Sequence, residues 1–478
     1  MDNSTLHSRV FEIFEELCSI PHGSGDMIKI ADYCVQFAKK NNLQYNRDNA
    51  NNVIIYKGAT ADFVGSDPII LQGHLDMVCQ KTDDSPFDFE KDSLKLFYDG
   101  DFISAKDTTL GADNGIAVSY ILTILESDQI EHPPIEAVFT TDEEIGMVGA
   151  AALDFSVLKS KRMINLDSEE DDTLTVSCAG GMDFHIQIPF KTVPVTATKI
   201  EIILGGLKGG HSGVEIHKNR TNADILAGHL LKFISAKTDF SLISIDGGNK
   251  GNAIANRCVI SVCADNPDAF VSAAKEFLSS KSQALLDAEP DFFFDITVRD
   301  TAMHNAFLQN TQNDVLFLLT AFPNGVVQMS GEINGLVETS LNLGVLKTEN
   351  GFVSALISLR SNKKTGIQEL KDKLIALCSR MCCSYKTVGY YPPWEFNRSS
   401  ALQKIYCETY SRIFGNEPKI EAIHAGLECA VFADKIKGLD CISMGPNLFD
   451  VHTVLERLQV SSAKRTFDLL LEMLKSCK

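Results

Sequence analysis

The chain has 478 residues, 44% of them hydrophobic, enough for about two to three domains with apolar cores of their own. Its 63 acidic residues against 44 basic ones give a formal net charge of -19, which argues against nucleic acid or an anionic membrane as a partner, since both reward basic surface. Thirteen cysteines without regular spacing, Cys382-Cys383 among them, read as reduced thiols of a cytoplasmic protein and not as a disulfide framework.

The start, Met1-Asp-Asn-Ser-Thr-Leu-His-Ser8, has no basic stretch ahead of an apolar one, so no signal peptide is expected. No apolar run approaches the ~20 residues of a membrane span. Asn-x-Ser/Thr triplets at Asn3, Asn219 and Asn397 are then incidental.

Residues 8–40 carry apolar side chains at helical spacing on both sides of Pro21-His-Gly-Ser-Gly25, which predicts two helices with His22 in the loop between them. Pro68-Ile-Ile-Leu71 predicts a short buried strand that gives out toward His74 and Asp76. In a parallel α/β sheet ligands bind beyond the carboxyl ends of the strands. An imidazole there can take a metal while the carboxylate two residues on orients it. The same His-x-Asp pair also occurs in plain surface turns, so its weight depends on further donors at other strand ends.

Residues 81–106 read as polar and turn-rich. Beyond them Ile116, Tyr120, Ile121, Ile124 and Leu125 predict an amphipathic helix with Asp113 at its N-terminal end, where the dipole favours a carboxylate as cap or as ligand. Ile135-Glu-Ala-Val-Phe-Thr-Thr141 predicts a second strand, ending in Asp142-Glu143-Glu144. Arg162-Met-Ile-Asn-Leu166 predicts a third, ending in Asp167.

The composition then changes. Strand-rich blocks broken by helical runs such as 266–286 predict an inserted α+β domain with antiparallel sheet over 184–392. The first style returns over 393–478, with helices at 400–413 and about 428–435, a strand Leu439-Asp-Cys-Ile-Ser-Met444, then His452 and a last amphipathic helix over 456–475. The expected fold class is α/β: a mixed, largely parallel sheet flanked by helices, formed by 1–183 and 393–478, plus the inserted domain.

In chain order the candidate ligands are His74, Asp113, Glu144, Asp167 and His452. Two imidazoles and three carboxylates suit zinc or a similar divalent ion. If Asp113 bridges, each of two ions holds one histidine, one further carboxylate and half the bridge. Two dications against three carboxylates leave about one positive charge to be met by hydroxide, which drives the pKa of a bridging water toward ~7. Asp76 is expected to accept from the second nitrogen of His74 and fix its tautomer. Glu143 is expected to act as general base and later to protonate the leaving amine. The plainer reading is that Glu143 and Glu144 open a helix with favourable charge.

Gly73-His-Leu-Asp-Met-Val78, Gly111-Ala-Asp-Asn-Gly115, Thr140-Thr-Asp-Glu-Glu-Ile-Gly146, Asn165-Leu-Asp-Ser-Glu169, Lys208-Gly-Gly-His-Ser-Gly213 and His424-Ala-Gly-Leu-Glu-Cys429 together resemble the aminoacyl-histidine dipeptidases. Those enzymes belong to the dinuclear zinc peptidases that include carboxypeptidase G-type enzymes and aminoacylases. The resemblance runs in order over nearly the whole chain. It implies that His74 and Asp167 bind one zinc and Glu144 and His452 the other, with Asp113 bridging and a cis peptide after it. It also implies that 184–392 is a lid, that His211 stabilises the oxyanion, and that Asn252 and Arg360 hold the substrate's terminal carboxylate. One departure is plain: the last histidine stands in Phe449-Asp-Val-His-Thr-Val-Leu-Glu456, without the flanking glycine and prolines of those enzymes.

The expected function is hydrolysis of small dipeptides, those with a C-terminal histidine first, with two zinc ions per chain, cobalt or manganese being alternatives. A broader dipeptidase or an N-acyl amino acid deacylase of the same fold is the nearest rival. A non-catalytic metal-binding protein is the rival from another class. The resemblance also admits a homodimer formed through the lid.

Overall fold

The structure, a computed structural model, describes residues 3–478; Met1 and Asp2, the start of the segment read as lacking a signal peptide, lie outside the described residues, as do the side chains of Asn3 and Ser282. The chain divides into two compact units, one formed by Met1–Cys178, Phe396–Ala422 and Leu427–Lys478, the other by Ala179–Glu395 and Ile423–Gly426.

The first unit is built on an eight-stranded sheet in the order Gln44–Arg47, Val53–Lys57, Ile135–Thr140, Ile69–His74, Arg162–Asn165, Asp440–Ser443, Thr173–Cys178, Lys419–Ile423. The four central strands, from Ile135–Thr140 to Asp440–Ser443, pair in parallel, with an antiparallel neighbour on each side. Ile69–His74 and Ile135–Thr140 are buried at every residue, as strands covered on both faces are. That burial is why Ile69-Ile-Leu71 and Ala137-Val-Phe139 are continuous apolar runs and do not alternate.

The helix Ala112–Glu126 is buried along almost all its length. Tyr120 on it stacks on Phe467 at 5.4 Å between ring centroids and donates to the Ala463 carbonyl at 2.8 Å, tying the helix to the last one, Val460–Ser476. Two local expectations change here. The segment read as turn-rich holds a hairpin, Leu96–Asp99 with Phe102–Ala105, and the last helix begins at Val460 because Arg457–Gln459 is a strand. That strand pairs with Phe102–Ser104, so its structure is set by a partner far away in sequence that no local periodicity reveals.

The second unit carries a nine-stranded sheet whose pairings are antiparallel. Residues of Phe352–Ser361 alternate between buried and half-buried, so one face lies on the core and the other carries a mixed set that includes Ser354, Ser358 and Arg360. The core face packs on helices Ala223–Ser235, Gln309–Ala321 and Lys364–Cys378 through residues such as Phe184, Ile260, Leu230, Leu318 and Leu374. Among the described residues no helix is long and apolar enough to cross a membrane.

Candidate metal centre

The carboxyl ends of three neighbouring strands deliver the first group of donors. His74 closes Ile69–His74, the Glu143-Glu144 pair comes after Ile135–Thr140, and Asp167 after Arg162–Asn165. Asp113 comes from the opening of the helix Ala112–Glu126, and His452 from the loop ahead of Arg457–Gln459.

His74 Nε2 stands 3.1 Å from Asp113 Oδ1 and 3.5 Å from Asp167 Oδ1. His452 Nε2 stands 3.2 Å from Asp113 Oδ2 and 2.9 Å from Glu144 Oε1. Each oxygen of Asp113 thus faces a different histidine. Donor atoms of His74, Asp113 and Asp167 lie within 4.8 Å of one another, as do those of Asp113, Glu144 and His452. A third grouping, His74 with Glu143 and Glu144, meets the same limit and brings Glu143 to the edge of the cluster.

The supports come from sequence neighbours and from far away. His74 Nδ1 lies 3.0 Å from the Asp76 backbone oxygen and 3.4 Å from its Oδ1, so the second nitrogen is engaged and Nε2 is left for the cluster. The Asp76 carboxylate also accepts from the backbone N–H groups of Glu143 and Glu144 at 3.0 and 3.2 Å and from the Ser24 hydroxyl at 2.8 Å. One buried side chain therefore sets both a histidine and the start of the acidic pair.

The Asp113–Asn114 peptide is cis. Asn114 accepts from the His74 backbone N–H at 3.2 Å and donates to the Leu166 carbonyl at 2.9 Å. Gly73 makes room for it, since a Cβ there would sit 2.5 Å from Asn114 Oδ1. Glu456 acts from behind: Oε2 accepts from the backbone N–H groups of Leu110 and Gly111 at 2.8 and 3.1 Å, and Oε1 from those of Ala112 and Asp113 at 2.8 and 3.4 Å. These are the orphan donors of a helix start, met here by one buried carboxylate.

The charge balance of the cluster asks for a cation. Burial would lower the His74 pKa, yet Asp167, Asp113 and Asp76 hold it well above its ordinary value. Hydrogen bonds to Asp113 and Glu144 push His452 up to about 11. Burial, with Asp113 and Glu144 nearby, pushes Asp167 up to about 7 although His74 opposes it. Burial also raises Glu143, helped by Asp167 and Glu428 against the pull of His74. Among the described residues no lysine or arginine pairs with Asp113, Glu143, Glu144 or Asp167, and histidines are the basic side chains in contact with Asp113, Glu144 and Asp167. Hard oxygens and imidazole nitrogens gathered in this way fit divalent ions of the zinc class.

The other three sequence candidates lie in the second unit. His211 Nδ1 accepts from the backbone N–H groups of Gly213 and Val214, both at 3.1 Å, which keeps its proton on Nε2 as a donor. Burial and then the Arg360 charge lower its pKa, so the ring is neutral. Arg360 stands on the half-buried face of Phe352–Ser361 and donates from Nη1 to the Tyr391 hydroxyl at 3.0 Å. Asn252 is exposed, and its carbonyl accepts from Ser212 N–H at 2.9 Å. His424, which carried no role in the sequence reading, is buried between Ser340 Oγ at 2.7 Å and Asn362 Oδ1 at 3.2 Å. Burial, with Arg360, lowers it to about 3.

Sequence reasoning gives Glu456 no role and sees in it only a glutamate four residues after His452. Glu428 likewise stands inside a motif without a role. An acidic residue inside an otherwise apolar run is the one available signal for Glu428: Leu427 and Cys429 flank it.

Three comparisons bear on this site. Residues 70–476 match the model of peptidase family M20/M25/M40. The sequence is 35% identical to the cytosol non-specific dipeptidase of Escherichia coli over 472 residues, 98% of this chain and 97% of that protein. The fold matches the crystal structure of an aminoacylhistidine dipeptidase from Vibrio alginolyticus with a TM-score of 0.92 and 34% identity, over 98% of this chain and 96% of that one. The aminopeptidase PepT of Bacillus cereus, 15% identical, shares the fold at a TM-score of 0.56 over 98% of each chain. With the family match spanning most of its length, the chain belongs to peptidase family M20/M25/M40.

Proposed function

We propose that this chain is a metal-dependent dipeptidase of the cytosol that hydrolyses small dipeptides, those with a C-terminal histidine preferred. The observation that carries the reading is the pair of donor triads sharing Asp113: His74, Asp113 and Asp167 for one divalent ion, Asp113, Glu144 and His452 for the other. Zinc is the proposed metal. When bound, the ions supply Lewis acidity, which polarises a scissile carbonyl and makes a water acidic near neutral pH.

The rest falls to side chains of the chain itself. Glu143, whose backbone Asp76 pins, takes the proton of the attacking water and passes it to the leaving amine. His211, carrying its proton on Nε2, donates to the developing oxyanion, a contribution of several kcal/mol where such donors are preorganised, roughly 2.7–4 for one donor. Arg360, oriented by Tyr391, and Asn252 hold the terminal carboxylate. In this reading residues 1–183 and 393–478 are the catalytic domain and 184–392 the lid.

The relatives' names divide between non-specific and aminoacylhistidine dipeptidase, so a substrate panel is the decisive test. Purified protein is expected to cleave β-alanyl-histidine and alanyl-histidine faster than alanyl-alanine and to leave N-acetyl-histidine intact. Two zinc equivalents per chain and a kcat lower by about 10²–10⁴-fold in Glu143→Ala with metal retained are expected beside it. Cleavage of the N-acyl compound would make the protein a deacylase. Two bound ions with no turnover on any of these would make it a metal-binding protein without this activity.

A further inference from the structure

At the level of His74 and two residues before it, the sheet holds a buried polar layer. Gln72, Thr140 and Asn165 lie on three adjacent parallel strands, and all are fully buried. Gln72 Oε1 accepts from Asn165 Nδ2 at 2.6 Å, and Gln72 Nε2 donates to Thr140 Oγ1 at 3.1 Å. Gln72 pairs with Asn165 in the strand register, and His74 pairs with Thr140. Each member precedes a donor: Gln72 by two residues to His74, Asn165 by two to Asp167, Thr140 by three to Glu143 and four to Glu144. Side chains at i and i+2 of a strand share a face, so Gln72 points to the side that His74 takes.

Glu428 closes this layer. It is the first residue of the helix Glu428–Lys435 and is fully buried. Its Oε2 accepts from Gln72 Nε2 at 2.5 Å and from Thr140 Oγ1 at 2.6 Å. Its Oε1 is buried without a hydrogen-bond partner. Burial pushes the carboxyl up to about 8, a sign that the position is unfavourable for an acid. An apolar side chain of similar size, facing apolar partners on the strands, would hold the sheet together at lower cost, because a buried polar group left partly without hydrogen bonds is destabilising. The layer is therefore better explained by what it does to the strand ends than by stability.

We propose that Glu428 is a positioning residue of the metal centre: by gripping Gln72 and Thr140, and Asn165 through Gln72, it fixes the relative placement of the strand ends that carry His74, Glu143-Glu144 and Asp167. This rests on the metal-site reading above. Supports behind metal ligands commonly change affinity by 10–100-fold when removed, although they never touch the ion.

The test is zinc affinity of the metal-stripped full chain, measured with zinc ion alone against a chromophoric chelator, with melting of the metal-free proteins beside it. Glu428→Ala, which removes both acceptors, is expected to weaken zinc binding by about 10–100-fold. Glu428→Gln keeps an acceptor oxygen and is expected to stay within about threefold of wild type, a small part of the loss expected from removing the support. A lowered melting point with wild-type zinc affinity in Glu428→Ala would mean a structural role only and would overturn the proposal. If that variant does not fold, Thr140→Val, which removes one donor and keeps the shape, decides: weaker zinc binding supports the proposal and unchanged binding overturns it. Failure of the wild-type chain to bind zinc at all would be a different result, removing the metal-site reading and this inference with it.

Discussion

His74 and His452 face the two oxygens of one aspartate from opposite surroundings. His74 ends a buried strand, is 1% exposed, and has its second nitrogen engaged by Asp76. His452 stands on a loop with its side chain 50% exposed, and both it and Asp450 lie in the left-handed region, at φ 64° and 54°. Its loop is tied by short local contacts, Thr453 Oγ1 to the Asp450 carbonyl at 2.7 Å and Arg457 to the Asp450 carboxylate at 3.1 Å, while Glu456, four residues on, grips the 110–113 segment that carries Asp113. A strand end thus holds one half of the cluster by its own hydrogen-bond ladder, while the loop half is held by local contacts and through a neighbour.

Several measurements would break or sharpen that contrast. The largest difference is expected between His74→Ala and His452→Ala in metal-free protein. Removing His74 leaves the Asp113 and Asp167 carboxylates without their buried partner, at a cost of about 3–5 kcal/mol in denaturant unfolding. Removing His452 also leaves buried carboxylates, Asp113 and Glu144, without a partner, but its own half-exposed ring is screened by water, and a smaller loss of about 1–3 kcal/mol is expected. Equal losses would erase the distinction between a strand-borne and a loop-borne half. Next in size, Glu456→Ala leaves the N–H groups of Leu110, Gly111 and Ala112 without their acceptor, and about 2–3 kcal/mol is expected. Its zinc stoichiometry should fall as well, since both triads use Asp113. Full stoichiometry in that variant would show that Asp113 does not depend on this support.

A third histidine supplies the opposite electrostatic case. His424 is buried beside Arg360 and lowered to about 3, so the folded state refuses a proton that the unfolded chain accepts below about 6.5. The resulting penalty is absent above pH 6.5 and grows as the pH falls from there toward 3, by up to ~1.4 kcal/mol per unit. His424→Gln should flatten that part of the stability profile, and an unchanged slope would show that other groups carry it. The smallest effect is expected from Arg457→Ala. Its guanidinium lies over Phe102 and Phe449 at 5.4 and 5.3 Å and pairs with Asp450 at 3.1 Å, all near the surface. Under ~1 kcal/mol should be lost, and a larger loss would mean that the His452 loop is anchored more firmly than its exposure suggests.

Much of the fold and the cluster is legible in the residues alone, and the reason is local. A strand that runs into His74, Glu143-Glu144 or Asp167 announces both its type and its end, because continuous apolar residues stop where polar chemistry begins. The helix after Asp113 is readable from its spacing in the same way. Arg457–Gln459 is not, and its residues read as the start of the last helix, because its strand character comes from Phe102–Ser104. The hairpin 96–105 is hidden for the same cause.

The sequence by itself determined the types of donor, their order, and the strands and helices that end in them, since those depend on residues within a few positions of each other. Only the tertiary structure decided that the two oxygens of Asp113 face His74 and His452, that Glu456 holds the segment before Asp113, and that Glu428 reaches Gln72 and Thr140. Most of those contacts join positions hundreds of residues apart, so no pattern within a few residues of either partner reveals them.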